Sequence, residues 1–207
     1  MAELMNGEFE DAPESVAILA NRFLTHVKHR LGMDLDYQQE TLSVVDCFID
    51  DVIKEESFDA NLPPGDERRV NLSHLLGPTI GAYFGEVLRR AFPCRWRASS
   101  EEPGDWFIEF ELVPLRFNPV GAAAEALMAQ NVEEWNGAIA TQTDYMEALF
   151  ERLAAAPPVP EDDFFTLATR FEVLQIAQEY LLMRQMAEES GPKHPFYSTD
   201  DYDRLFG

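Results

Sequence analysis

Apolar residues recur at helical spacing along most of this chain and switch to alternation only near residues 94–117. Leu19, Phe23, Val27 and Leu31 form the first stripe, with Pro13 suited to a first turn and Gly32 to a C′ position. The pattern predicts a helix over about residues 13–31. A second stripe, Leu42, Val45, Ile49 and Val52, predicts a helix starting at Asp36, with Gln39 returning a capping-box bond. Asp46, Asp50, Asp51 and Glu55 then fall on the opposite face, toward water. The segment FDANLPPGDERR follows as a loop, because Pro63, Pro64 and Gly65 break regular structure.

The third helix holds LLGPTIGAYFGEVLRR, in which Gly77, Gly81 and Gly85 stand four residues apart. A glycine in a helix interior costs about 0.5–1 kcal/mol relative to alanine, so a stripe of them has to serve something. A phosphate-gripping loop would need a Lys followed by Ser or Thr after the last glycine, or GxGxxG after a strand, and neither occurs. The spacing of four puts the glycines on one face, where missing side chains let another element approach closely. With Gly77 as N-cap and Pro78 in the first turn, the helix proper would start there and the close-packing stripe would reduce to Gly81, Ala82 and Gly85.

Beyond Pro93 the period changes. CRWRAS predicts a short strand, SSEEPGD a turn, and a second strand places Trp106, Ile108, Phe110 and Leu112 on one face with Glu109 and Glu111 on the other. LRFNP adds a third, edge strand after Pro114. Helices return over about residues 121–131, about 144–155 with Asp144 as cap and Glu147 three residues on, and about 161–189. The last is apolar nearly all round, through Phe164, Leu167, Phe171, Leu174, Tyr180, Leu181 and Met183, and is expected to be buried on much of its circumference. The fold class is therefore α+β, predominantly helical, with helices packed on a small antiparallel sheet of two or three strands. Residues 1–190 form the single domain, and 191–207 a flexible or docking tail of extended character.

Charge changes this picture more than length does. The chain has 207 residues, and its 38 acidic against 16 basic side chains give a formal net charge of −22. Such a field repels nucleic acid and anionic membranes, so neither is an expected partner. Residues 71–120 are nearly neutral, holding Arg89, Arg90, Arg95, Arg97 and Arg116 between two strongly acidic flanks. The flanks serve solubility and neutralise those arginines, or they present an acidic face to a basic partner. Cys47 and Cys94 sit in apolar settings without framework spacing, which predicts buried thiols in a reducing compartment. No leader-like hydrophobic run opens the sequence and no segment reaches the length of a membrane span, so the expected location is cytoplasmic.

LDYQQETLSVVDCFID, GAYFGEVLRR, the tryptophan of CRWR and the asparagine-proline of RFNPVGAA together carry a resemblance. This region, about residues 31–130, resembles bacterial domains of unknown function in which an LDYxxExLxxVD-like helix precedes a GAYxGE helix and a small sheet. The matching positions are Asp36, Glu40, Leu42, Asp46, Gly81, Tyr83, Gly85, Glu86, Trp96 and Pro119. The resemblance implies a fold and no particular activity.

Tyr83, Glu86 and Arg90 share a helical side, with Glu86 and Arg90 at i,i+4 spacing. A small-ligand cleft against the sheet would draw on Tyr83, Glu86, Arg89, Arg90 and Trp96. Metal and cofactor are not expected: His26 and His29 are three apart, His74 and His194 are distant, and there is no HExxH. The serines lack a GxSxG context, neither cysteine has a histidine nearby in sequence, and no catalytic residue is assigned. The sequence therefore points to a non-catalytic protein-binding module of adaptor, immunity or chaperone type. Its partner surface would comprise Asp46, Asp50, Asp51 and Glu55 together with the tail aromatics Phe196, Tyr197, Tyr202 and Phe206. The alternative is a small-ligand-binding protein or enzyme with its site around Tyr83, Glu86 and Arg89.

Overall fold

The computed structural model describes residues 12–56, 62–132, 135–187 and 196–206. Helix α1 (Glu14–Leu31) begins directly after Pro13 and ends where Gly32 takes a left-handed conformation, φ 69°, its N–H donating to the Lys28 carbonyl. Val16, Ala20, Phe23 and Val27 are its buried positions.

Helix α2 (Leu42–Glu56) starts later than its stripe suggests. Asp36 does not cap it; its Oδ1 accepts from the Gln38 N–H, next to Tyr37 at positive φ, and a 3-10 turn over Gln39–Thr41 leads in. Asp and Asn favour such local side-chain turns over extending a helix. Leu42, Val45, Ile49 and Val52 are buried as the stripe requires.

Helix α3 (Glu67–Ala91) is the axis of the molecule, packed chiefly against α1 and α4 (Pro119–Met128). It starts ten residues before Gly77, at an Asp66 cap that accepts from the Arg68 N–H at 2.9 Å. Pro78 therefore lies inside it rather than in its first turn, although an interior proline removes one ladder bond and costs about 3 kcal/mol. Burial of Leu72 and Leu76 on the preceding turns supplies the opposing term.

The glycine face is a packing surface. A Cβ on Gly81 would stand 2.8 Å from the Val120 nitrogen, and one on Gly85 would overlap the Trp96 indole. Gly81 thus seats the start of α4, and Gly85 seats the first strand.

Four antiparallel strands follow in the order β1 (Cys94–Arg97), β2 (Phe107–Phe110), β3 (Leu115–Phe117) and β4 (Ala140–Thr141). The short β4 was not legible in the alternation. Its Thr141 sits opposite Leu115, and its hydroxyl donates to the Pro114 carbonyl at 2.6 Å. Cys94, Trp96, Ile108, Phe110 and Phe117 form the inner face, where Phe117 meets Phe84 edge-on at 5.9 Å. β2 ends at Phe110, so Leu112 falls in the bend toward β3 and Val113 takes the buried place. Glu109 departs most from expectation: it is fully buried instead of facing water.

α5 (Thr143–Ala154) begins without a side-chain cap, so Asp144 is a first-turn residue only. After a 3-10 turn at Glu161–Asp163, α6 (Leu167–Ala187) buries one face, including Leu167, Phe171, Leu174, Ala177 and Leu181. Met183 is 60% exposed and Phe164 precedes the helix, so one strip of α6 faces water while the rest of its circumference is buried or half-buried. The described tail is not extended: α7 (Thr199–Phe206) lies on the outer face of the sheet, with Ser198 and Asp201 exchanging capping bonds at its start.

Candidate functional site

The five residues from which a ligand cleft was expected are brought together only in part, and mostly with one another. Glu86 lies one turn from Arg89, which donates to it twice, Nε to Oε1 and a terminal nitrogen to Oε2, each at 2.9 Å. Trp96 Nε1 donates to the same Oε1 at 2.8 Å. The carboxylate is 5% exposed as a residue and is matched as buried charges must be. The ion pair is therefore i,i+3 with Arg89, not i,i+4 with Arg90. The indole of Trp96 gives the reason: it fills the gap over Gly85 and holds Glu86 turned toward Arg89.

Tyr83 is fully buried, its hydroxyl 2.6 Å from Thr41 Oγ1 and accepting from the Tyr37 N–H at 3.1 Å. Burial raises its pKa. Arg90 lies apart from this cluster. Its guanidinium stacks over the Tyr37 ring at 4.0 Å and donates to the Asp36 carbonyl at 3.4 Å. Arg90 borders a shallow cleft of about 200 Å³, lined also by Tyr37, Gln39, Glu40 and Phe171. Tyr37 is the residue the sequence did not single out; its stacking on Tyr83 at 4.9 Å joins the cleft to the buried hydroxyl network.

The four acids of α2 expected to form a partner surface separate. Asp50, Asp51 and Glu55 are exposed, with Glu55 2.8 Å from Arg30. Asp46 turns inward instead. Its two oxygens accept from the N–H groups of Leu167 (2.8 Å) and Ala168 (3.2 Å), so it caps α6 from 121 residues away. Burial outweighs those donors and pushes its carboxyl up to about 6. Thr166 caps the same helix locally, its Oγ1 accepting from the Thr169 N–H at 3.3 Å, which leaves the Leu167 and Ala168 donors for Asp46.

The tail aromatics divide as well: Phe196 is 56% exposed, Tyr197 and Tyr202 are buried, and Phe206 is half-buried against the sheet. Tyr202 is an anchor. Its hydroxyl accepts from the Leu115 N–H at 2.9 Å and lies 2.8–3.0 Å from the carbonyls of Phe110, Val113 and Leu115, any one of which takes its proton. Burial drives its pKa far above the usual tyrosine range.

A third buried charge, Glu125 of α4, pairs with Arg170 of α6 at 2.9 Å and accepts from the Val132 N–H. Burial raises the acid and lowers the base. Cys94 is buried, which raises its thiol, whereas Cys47 is exposed, against expectation, because its position on α2 lies outside the buried stripe.

No protein-family model, characterised protein or solved structure matches this chain. Chemistry has to be read from the residues alone. The buried carboxylates of Glu86, Glu109 and Glu125 are each held by arginine, an arrangement that fixes geometry rather than moving protons. Among the described residues no three His, Cys, Asp or Glu side chains converge on a position that could hold a metal, and no helix is long and apolar enough to cross a membrane.

Proposed function

We propose that this chain is a non-catalytic, cytoplasmic protein-binding module whose partner is a basic protein, engaged through the solvent face of α2. The observation that carries this reading is the division of its acids. The buried carboxylates of Glu86, Glu109 and Glu125 are paired with arginine, while Asp50 and Asp51 stand in water on a chain of net charge −22. Such a face speeds encounter with a cationic surface, and its effect fades as salt screens it over about 10 Å at 0.1 M.

Partners captured from the chain's own cell lysate at low salt provide the starting material, and association is then measured with the purified partner. The rate should fall with salt and with Asp50→Asn, Asp51→Asn and Glu55→Gln. Asp46 is left intact because it caps α6. A rate insensitive to both would remove this surface from consideration.

The cleft beside Arg90 supports a second reading, a small anionic ligand held by a guanidinium that already stacks on Tyr37. A metabolite that raises the melting temperature of wild type but not of Arg90→Ala would favour it.

A further inference from the structure

Arg95, Glu109 and Arg116 stand side by side on three neighbouring strands, paired in register across the outer face of the sheet. Arg97 continues the row at 3.3 Å from Glu109, whose other oxygen takes Arg95 at 3.1 Å. This face is charged where an obligate core face would be apolar. What covers it is residues 196–206. Arg95 donates to the Tyr197 carbonyl at 2.8 Å, and the Tyr197 N–H donates to the Glu111 carbonyl at 2.7 Å. Arg97 pairs with Asp203, and Arg116 lies between the rings of Phe107 (3.9 Å) and Phe206 (5.0 Å).

We propose that this outer face is an exchangeable peptide-binding surface whose ligand is the 196–206 segment, so that a second copy of the chain can supply its segment and receive one in return. Three observations favour exchange over a permanent seal. The face remains well solvated when bare, because four ionisable side chains regain water. When covered, it leaves Arg95 Nε and Arg116 Nε buried without a hydrogen-bond partner among the described residues, donors that water would satisfy on release. Finally, recognition is specific to this segment. The Tyr202 hydroxyl reads a bend of backbone between β2 and β3, and Asp203 reads Arg97, so exchange between copies repeats the same contacts and closes with two-fold symmetry.

Docking within one chain has the advantage of proximity. Gln185 of α6 donates to the Tyr197 hydroxyl at 3.0 Å, and only eleven residues separate Gln185 from Tyr197 along the chain, a connection short enough for an effective concentration on the order of millimolar. Exchange between copies accordingly sets in as the protein approaches that concentration.

The test uses the full chain and a fluorescent synthetic peptide of residues 192–207. Tyr202→Ala vacates the face, and this variant should bind the peptide saturably, whereas wild type, filled by its own segment, binds it about tenfold more weakly or less. A peptide carrying Tyr202→Ala should bind neither. In sedimentation, wild type should form dimers on approaching millimolar concentration while Tyr202→Ala stays monomeric. If circular dichroism shows Tyr202→Ala unfolded, the pair Asp203→Arg and Phe206→Ala provides the vacated face. A folded, vacated chain that ignores the peptide overturns the proposal, as does equal binding by wild type. Peptide binding with wild type monomeric throughout refutes the second copy as occupant and transfers the surface to another protein bearing this motif.

Discussion

The inner and outer faces of the sheet share a backbone and nothing of their chemistry. Toward α3 the strands present Trp96, Ile108, Phe110 and Phe117, closely packed over glycines that remove every obstacle. Toward α7 they present Arg95, Arg97 and Glu109, joined by ion pairs, and Arg116, held between the Phe107 and Phe206 rings. Apolar burial contributes about 25 cal/mol per Å² and has no alternative partner, while buried ion pairs give back in desolvation much of what they gain. The contrast implies that one face is permanent and the other separable.

Adding bulk to the permanent face should have the largest effect. Gly85→Leu drives a side chain into the Trp96 indole, and Gly81→Leu into the backbone of Val120. Each should cost about 3 kcal/mol or more, or prevent folding, as read by denaturant unfolding. A Gly85→Leu protein as stable as wild type would mean that the two elements do not meet there. Tyr202→Phe comes next. It keeps the ring but removes one of the two acceptors of the Leu115 N–H, which retains the Val113 carbonyl at 2.8 Å, together with the proton the hydroxyl gives to the neighbouring carbonyls, and about 1–2 kcal/mol should be lost.

Asp46 belongs to neither face and responds to pH. Its folded-state pKa is raised from the ordinary 3.8 to about 6, so between those values the native state holds a proton that the unfolded chain has released. Its contribution therefore favours folding least above about pH 6, and that deficit disappears as pH falls through about 4. Asp46→Asn cannot titrate, so its stability relative to wild type should improve by on the order of 1–3 kcal/mol as pH rises across this window. A difference that stays flat with pH would show that the carboxyl titrates normally. The smallest change is expected at the edge of the outer face: Asp203→Asn removes the half-exposed partner of Arg97 and leaves Arg97 paired with Glu109, and about 0–1 kcal/mol should follow.

Periodicity made the permanent side legible. The stripe of α2 named buried residues, that of α1 caught Phe23 and Val27 but missed Val16 and Ala20 and included Leu19 and Leu31, which are only half-buried, and spacing of four identified the glycine face, because all depend on neighbours within a few turns. The separable side was obscured because its partners are remote. Glu109 alternates as an exposed strand residue should, and only a segment some ninety residues later covers it. The same distance hid Asp46, which reads as one more acid on a polar helix face until Leu167 is placed above it. At the expected ligand cluster, residue types and helical side were readable. The choice of Arg89 over Arg90 for Glu86 was not, since the Trp96 indole decides it from another element.

Native-state hydrogen exchange of the full chain tests the difference between the two faces most directly. Amides of α3 between Gly81 and Leu88 should open only with the whole molecule, whereas that of Tyr197, bonded to the Glu111 carbonyl across the outer face, should open at a lower free energy, through release of the 196–206 segment alone. Protection at Tyr197 should be at least about a hundredfold below that of α3, corresponding to about 2.7 kcal/mol or more, and indifferent to mild destabilisation of the core. Equal protection on both faces, falling together when the core is weakened, would show a single cooperative unit and contradict it.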